Sequence, residues 1–274
     1  MKKLFENITG NGRQIFEMLF IAGVSIMPFL IDLQKILQDY QFEYTLSPDI
    51  FLWHLAIVRG NLVAAVIFAV TSVIAIRKIN KDFLMNRKFV YHDYCYAWYW
   101  LCAKVLGIKK CNLVLVPIYM QFKLVIKATF EEYPLCESDY PPVENEGKCQ
   151  VIITNTENDD SEINVIIEDT YPIAEQQIPE SKRKLKTIRI SRNDGADNGR
   201  HFSQNLVNAV INSVRGVEQG VAVNVFATTN PLNTRHIASG AFGLGNRGNV
   251  SHLYVFQQMA DGIRSFDSKE PRIY

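Results

Sequence analysis

The sequence predicts a membrane protein with two N-terminal transmembrane helices followed by a cytosolic α/β domain. An uncharged apolar run covers residues 60–76, a shorter one covers residues 18–31, and strand-like and helix-like patterns alternate towards the C-terminus. Apolar residues are concentrated in the first third of the chain, whereas Asp, Glu, Asn, Gly and Ser are concentrated in the rest. We therefore predict a two-helix transmembrane region over residues 1–88, an aromatic amphipathic connector over 89–110 and a cytosolic sensor or binding domain over 111–274.

Both apolar segments are long enough to be retained membrane helices. The segment that contains residues 60–76 extends back to residue 50 and reaches the roughly 20 residues that cross a ~30 Å hydrocarbon layer. The earlier segment, residues 15–37, contains Pro28, where we expect a kink. It begins after basic residues as a signal peptide would, but no small-x-small cleavage site follows Ile31.

The distribution of Lys and Arg predicts the orientation of the two spans. Basic residues precede the first span and follow the second, whereas the intervening loop over residues 38–49 carries only acidic charges. Because cytoplasmic loops are enriched in Lys and Arg, both termini are predicted to be cytoplasmic, with the chain in the cell inner membrane.

A single arginine interrupts the second apolar segment. An isolated arginine in a span costs several kcal/mol, about 2.5–3.5 on insertion scales, so such residues usually face a bundle interior or water. We predict a membrane function for Asp32, His54 and Arg59, with Asp32 and Arg59 paired. The alternative is that Arg59 snorkels to the headgroups. Two spans per chain are too few to enclose a pore, so a pore would require a homo-oligomer.

The connector over residues 89–110 contains four tyrosines, two tryptophans and a phenylalanine. Aromatic residues with polar tips favour the membrane interface. We predict an amphipathic helix that lies along the inner leaflet or packs on the soluble domain. A third membrane segment over residues 89–106 is the alternative.

The first half of the cytosolic domain is predicted to be rich in strands. Residues 111–130 contain two extended runs joined at Pro117, with many β-branched and aromatic residues. Residues 149–173 are typical of a hairpin whose turn is the polar cluster at residues 157–162.

The second half is predicted to be a Rossmann-like parallel unit. A strand over residues 186–192 precedes a helix ended by Gly216, a strand over 221–230, a helix start over 233–242 and a last strand over 252–259. Alternating strands and helices predict a parallel sheet. Val223, Val225 and Phe226 should therefore be buried.

Polar residues near the ends of these strands predict a ligand pocket, because ligands of open parallel sheets bind beyond the carboxyl ends of the strands. The helix start after residue 200 would favour an anion through its backbone N–H groups. A phosphate-bearing or nucleotide-like ligand fits such groups, although each group alone could equally be a helix cap or a polar turn. The predicted ligand-binding residues are Arg192, Asn193, Arg200, His201, Thr228, Thr229, Asn230, Arg247 and Asn249.

Enzymatic motifs are absent from the sequence. There is no GxGxxG after a strand, no GxxxxGK[ST] loop, no GxSxG elbow and no HExxH. The five cysteines form no CxxC pair and no zinc-ligand spacing with histidine. We predict no catalytic residue, no metal and no cofactor. A hydrolase site built from Asp194, His201 and Ser203 would place all three on one helix start, which is unfavourable for a triad.

This layout resembles the small two-span membrane effectors of bacterial antiphage systems, which are paired with cyclic-nucleotide synthases or retrons. The resemblance covers the architecture of the whole chain, but no short motif transfers binding residues, and the Rossmann-like tail departs from the β-barrel sensor of the best-known two-span version. It implies an effector that disrupts the inner membrane when its cytosolic domain senses a nucleotide-like or nucleic-acid-derived ligand or a partner protein of the same system. The implied partners are membrane lipid and further copies of the chain. The alternatives are a membrane-tethered scaffold that recruits a protein partner and a membrane-anchored hydrolase.

Overall fold

The computed structural model describes residues 11–44, 51–87, 90–135, 139–142, 146–157, 161–192, 200–243, 248–269 and 271–274, with side chains excluded at 40–44 and 51–57. The chain divides into two compact units. One unit contains residues 1–88 and 97–110, and the other contains residues 89–96 and 111–274.

The first unit is helical. Its described N-terminal residues form the helices α1 (Gly12–Leu30), α2 (Leu33–Tyr44) and α3 (Phe51–Ile79). Two stretches are long and apolar enough to cross a membrane, namely the 28 residues Gly12–Asp39 and the 22 residues Val58–Ile79. Their apolar side chains are largely exposed. Length, composition and exposure all suit helices that contact lipid.

A polar cluster joins the start of α1 to the residue that follows α3. The Arg13 guanidinium donates hydrogen bonds to Glu17 at 2.8 Å and to Asn80 Oδ1 at 2.7 Å. Asn80 Nδ2 donates to Glu17 at 2.7 Å, and Asn80 is fully buried. Since the beginning of one helix meets the end of the other, α1 and α3 run antiparallel.

The predicted pair of Asp32 and Arg59 does not form. Asp32 Oδ1 accepts a hydrogen bond from Asn61 Nδ2 at 3.0 Å, and the Gln34 N–H donates to Asn61 Oδ1 at 2.8 Å. The chain breaks between α1 and α2 at Asp32, which has a φ of 48°. Asn61 ties this break to α3 and so takes the position predicted for arginine.

Arg59 itself is exposed and interrupts α3, with φ −136° and ψ 29°. The next residue, Gly60, lies against α2, where an added Cβ would be 3.1 Å from the Cα of Gln34. The side chain of His54 lies outside the described residues.

The connector contains one short helix, α4 (Tyr96–Lys104). Its nine residues rise only about 14 Å, which is less than half of a hydrocarbon layer. Tyr99, Cys102 and Ala103 are buried on one face, whereas Cys95 is exposed. α4 is therefore too short to be a third span.

The second unit is built on a five-stranded sheet with the order β3-β5-β4-β6-β7. β4 pairs in parallel with β5 and β6, β6 pairs in parallel with β7, and β3 pairs antiparallel with β5. The five strands of this sheet are β3 (Gln150–Thr154), β4 (Glu162–Glu168), β5 (Lys186–Ser191), β6 (Val221–Ala227) and β7 (Val250–Phe256). Two short strands of two residues each, β1 (Leu84–Met85) and β2 (Lys110–Cys111), lie outside it.

The parallel arrangement predicted for the second half is confirmed, and the predicted hairpin is wrong. β3 and β4 do form, but β5 lies between them. From Ile163 onwards, β4 is buried, as expected of a central strand covered on both faces, whereas all five residues of β3 are exposed. Burial therefore places β4 at the centre of the sheet and β3 at its edge.

Three helices cover one face of the sheet: α5 (Ile118–Ile126), α6 (Gln204–Arg215) and α7 (Pro231–Ile237), the last continued by a π-helical turn at Ala238–Phe242. Both extended runs predicted around Pro117 are wrong. Of the run before Pro117 only Cys111 lies in a strand, and the residues after Pro117 form α5. Short apolar runs fit both a strand and a buried helix, and periodicity alone does not separate them. Phe122 of α5 packs against Phe242, with ring centroids 6.0 Å apart.

The core occupies both faces of the sheet. Val223 and Val225 are fully buried in the cluster beneath the helices. Phe226 is fully buried on the opposite face, where it stacks on Phe256 at 4.5 Å and meets the edge of Phe266 at 5.1 Å. The predicted burial of these three β6 residues is confirmed, as is the end of α6 before Gly216.

Candidate ligand-binding cavity

A cavity of about 260 Å³ lies at the carboxyl edge of the parallel sheet. Residues that follow β4, β6 and β7 meet there, and the segment before and within α5 forms a further wall. The cavity is lined by Val114, Leu115, Val116, Ile118, Gln121, Tyr140, Thr170, Tyr171, Arg200, Ala227, Thr228, Thr229, Asn230, Pro231, Gln257 and Gln258.

Four of the predicted ligand-binding residues line this cavity: Arg200, Thr228, Thr229 and Asn230. Arg200 is exposed and so places a cation at the rim. Its charge acts on Tyr140: burial raises the pKa of the Tyr140 hydroxyl, and Arg200 offsets part of that rise.

The threonines and Asn230 are already engaged in the wall. Thr228 Oγ1 donates to the Tyr171 carbonyl at 2.8 Å, and the hydroxyls of Thr229 and Thr234 are 2.7 Å apart. Asn230 caps α7, where its Oδ1 accepts from two backbone N–H groups. These three side chains shape the cavity.

Two glutamines leave polar atoms without a hydrogen-bond partner among the described residues. Gln121 Nε2 donates to the Val116 carbonyl at 2.8 Å, which leaves Gln121 Oε1 buried and unpaired. Gln258 Oε1 accepts from the Tyr171 hydroxyl at 2.7 Å, which leaves Gln258 Nε2 buried and unpaired. A buried polar group without a partner costs about 1–3 kcal/mol. Both glutamine side chains line the cavity, although the two unpaired atoms themselves are buried in its wall.

Two other predicted residues, Arg192 and His201, lie behind the cavity wall. The Arg192 guanidinium donates to Asp169 at 3.1 Å. The second oxygen of Asp169 accepts from Asn230 and Asn233. The His201 carbonyl accepts from the same two asparagine side chains, at 2.7 and 3.0 Å. This buried network joins the end of β4 to the start of α7.

The anion predicted at the start of α6 is supplied by the protein itself. Ser203 caps the helix, since its Oγ accepts from the Leu206 N–H at 3.0 Å. The same hydroxyl donates to the Glu146 carboxylate, and the Asn205 N–H lies 3.2 Å from both carboxylate oxygens. Glu146 therefore occupies the position predicted for a ligand anion.

Asn249 lies at the opposite edge of the sheet, so its placement in the pocket was wrong. It precedes β7, and its Nδ2 donates to the carbonyls of Arg215 and Val217 at 2.9 and 2.6 Å. A loop that precedes a parallel strand leads into the amino end of that strand, away from the carboxyl edge. Asn193 and Arg247 lie outside the described residues.

The sequence interpretation missed Gln121, Tyr171 and Gln258. The pattern around Gln121 predicts a strand, which hides the position of this side chain on a helix. Gln258 directly follows the last strand, so the rule that identified Thr228 would also have found it. Tyr171 follows β4, which had been assigned to a hairpin outside the parallel sheet.

The sequence profile of the SMODS- and ubiquitin system-associated 2TM effector domain matches residues 1–274. The chain belongs to this family of bacterial antiphage effectors. Its two apolar helices are consistent with the two spans in the family description. No curated protein matches the chain.

Two solved structures of a Cap4 receptor from Acinetobacter baumannii, which contains a SAVED/CARF domain, are similar to part of the chain. The receptor with the cyclic trinucleotide 3'3'3'-cAAA is 8% identical, covers 60% of this chain and 38% of its own, and has a TM-score of 0.41. The receptor with 2'3'3'-cAAA is 10% identical, covers 64% and 41%, and has a TM-score of 0.42. The chain thus matches well under half the length of these receptors, and similarity at this level assigns it no ligand.

Proposed function

We propose that this chain is an inner-membrane effector whose sheet domain binds a nucleotide-like ligand and whose two apolar helices then disrupt the membrane. The cavity carries the proposal, because its lining combines a cation on Arg200 with the amides of Gln121 and Gln258, each of which has one polar atom unpaired among the described residues. Family membership supports the role in antiphage defence.

The chemistry of the cavity suits a nucleobase with an attached phosphate. The edge of a nucleobase presents donors and acceptors side by side, as the two glutamine atoms require. Tyr140 and Tyr171 supply aromatic surface on which a base could stack, and Arg200 at the rim suits a phosphate. The volume lies near the lower end of the ~300–1,000 Å³ typical of small-molecule sites, which favours a single nucleotide unit.

The helical unit supports the proposed membrane role. α1 and α3 are antiparallel, and the Lys and Arg residues flank them on the side of both termini. Because cytoplasmic flanks are enriched in Lys and Arg, we propose that both termini and the sheet domain are cytoplasmic. Because two spans enclose no pore, we propose that the active form is a homo-oligomer.

Thermal unfolding of the full-length protein in detergent, with a panel of linear and cyclic nucleotides, tests the sensing role. A ligand that binds only the folded state raises the melting temperature as its concentration rises above Kd. We expect one nucleotide class to raise it, and Arg200→Gln and Gln258→Leu to reduce that rise. Arg215→Gln, an exposed arginine at the end of α6, is the matched control and should leave the rise unchanged.

If no nucleotide stabilises the protein, the sensing proposal fails. A partner protein of the same defence system that stabilises it instead would favour the scaffold function. If a nucleotide stabilises Arg200→Gln and Gln258→Leu as strongly as it stabilises the wild type, then it binds outside this cavity.

A further inference from the structure

Among the described residues, no strand covers the outer edge of β3. β3 is the terminal strand of the sheet and pairs only with β5 among the described strands. Its three central residues, Val151, Ile152 and Ile153, are 45%, 40% and 52% exposed. Edge strands are usually protected from other strands by Lys, Pro or a bulge. The five residues of β3 contain neither Lys nor Pro, and their register with β5 is regular.

An apolar groove runs beside this edge. It has a volume of about 310 Å³ and lies between β3, β5 and the end of α6. Its apolar lining consists of Val151, Ile153, Ile163, Ile188 and Val217, and Lys186, Asn212, Ser213 and Glu218 add polar or charged groups. Because successive side chains of a strand point to opposite faces, Ile152 lies on the other face of the sheet. β3 therefore exposes apolar side chains on both faces.

We propose that β3 pairs antiparallel with β3 of a second copy of this chain. A two-fold axis perpendicular to the sheet would join the two copies into one continuous sheet and keep each side chain on the same face. Because side chains alternate between the faces, an even-numbered residue then lies opposite an even-numbered one, and an odd-numbered residue opposite an odd-numbered one. Among such registers, only the one that places Ile152 opposite Ile152 pairs all five residues of the strand. Val151 then opposes Ile153 of the other copy, and Gln150 opposes Thr154.

Charge at the strand ends favours a second copy in this direction. Lys148 precedes β3 and Glu157 follows it, while the strand between them is uncharged. An antiparallel pair brings Lys148 of one copy to the same end as Glu157 of the other, whereas a parallel pair would bring like charges together. The pairing also places Ile153 of each copy beside Val151 of the other at the rim of the groove, and thereby covers apolar surface on both.

Cysteine cross-linking in the full-length protein tests the register. Opposed residues of an antiparallel pair have Cα atoms about 4.5–5.5 Å apart, within the range of disulfides. In a chain carrying Cys95→Ser and Cys149→Ser, we expect Ile152→Cys to form a disulfide-linked dimer on mild oxidation. Val151→Cys alone and Ile153→Cys alone should not, and the double variant of both should.

A lysine at the centre of the strand provides a second, independent measurement. Ile152→Lys places two ammonium groups opposite each other, so it should abolish the cross-link of the Val151→Cys and Ile153→Cys double variant. Asn208→Lys, an exposed position on α6, is the control and should retain it. The proposal is overturned if neither Ile152→Cys nor the double variant forms a cross-link. It is also overturned if Val151→Cys alone cross-links as efficiently as the double variant, or if the cross-link is to a different protein. The proposal stands whether or not the cavity binds a nucleotide.

Discussion

Asp169 accepts a hydrogen bond from Arg192 at 3.1 Å, and the two side chains are 0% and 2% exposed. The carboxylate lies directly after β4, and the guanidinium directly after β5. A buried pair of opposite charges therefore holds together the ends of the neighbouring strands β4 and β5. Arg192, which the sequence predicts as a ligand-binding cation, has its charge neutralised inside the protein.

Asp169→Asn should strongly destabilise the sheet unit. The change keeps the shape of the side chain but removes the negative charge that Asp169 places beside the buried Arg192 guanidinium. Breaking a buried ion pair by removing one partner costs about 3–5 kcal/mol. Chemical unfolding of the full-length protein in detergent, followed by circular dichroism, would measure the loss.

Glu218→Gln is the matched control, because Glu218 is exposed. Its expected effect on the free energy of unfolding is within about 0.5 kcal/mol. If Asp169→Asn unfolds at the same denaturant concentration as the control, then the pair does not stabilise the fold, and Arg192 becomes available again as a ligand-binding residue.

Ser203→Ala and Glu146→Gln should each weaken the start of α6. Ser203 caps the helix, and loss of such a cap costs about 1 kcal/mol. Glu146 places a negative charge at the positive end of the helix dipole, which contributes about 0.3–1 kcal/mol. Because the two side chains are hydrogen-bonded, the double variant should lose less than the sum of the single variants.

Unfolding free energies of the wild type, both single variants and the double variant form the required cycle. Gln204→Ala is a suitable control, since Gln204 is exposed at the first turn of α6 and bonds only along the helix surface. Strict additivity of the two losses would mean that Glu146 and Ser203 act independently.

The parts of the fold that the sequence predicted are those specified by local patterns. The apolar face of α6 and its terminal Gly216 lie within one short segment, and both are recognisable there. The strand order was not predictable in the same way, because the insertion of β5 between β3 and β4 depends on long-range packing. Alternation along β3 fits a hairpin as well as a sheet edge.

The candidate site was predicted only in part for a similar reason. Thr228 was found because the carboxyl end of a strand is a local feature, and Arg200 because it precedes a recognisable helix start. Whether a polar side chain faces the cavity or another part of the protein depends on its hydrogen-bond partners. Arg192 is bound to Asp169 and Ser203 to Glu146, and in each pair the two residues are distant in sequence. No local pattern contains that information.

The sheet unit should lose stability in mildly acidic solution through His236. Burial lowers the pKa of His236 below its ordinary 6.5, and the neighbouring Arg235 lowers it further. The folded state therefore binds this proton more weakly than the unfolded state. The contribution is fully present above about pH 6.5 and is lost as the pH falls through the lower pKa of the folded state.

Unfolding midpoints measured across this pH range would detect the effect. His236→Gln removes the titrating group while keeping a polar side chain beside Phe202, whose ring centroid lies 5.1 Å from that of His236. We expect the acid-dependent loss to be smaller in His236→Gln than in the wild type. His252→Gln, at an exposed histidine, is the control and should keep the wild-type profile.

Arg59→Leu should leave the protein in the membrane and folded but remove its ability to harm the cell. A leucine inserts into a bilayer more easily than an arginine, so expression should not suffer. In the structure, Arg59 is exposed at a break in α3 and forms no ion pair with Asp32. Its cation is therefore available to lipid, water or another subunit, and this availability is the reason to expect a function in the membrane.

Toxicity on over-production and entry of a membrane-impermeant dye would measure the effect, with membrane fractionation to verify location. Lys81→Gln, an exposed cation beyond the end of α3, is the matched control and should retain toxicity. The effect of Asp32→Asn on toxicity and dye entry should be independent of the effect of Arg59→Leu, because Asp32 is hydrogen-bonded to Asn61. Full toxicity and dye entry in Arg59→Leu would reduce the arginine to a snorkelling side chain and remove the cation from the proposed mechanism.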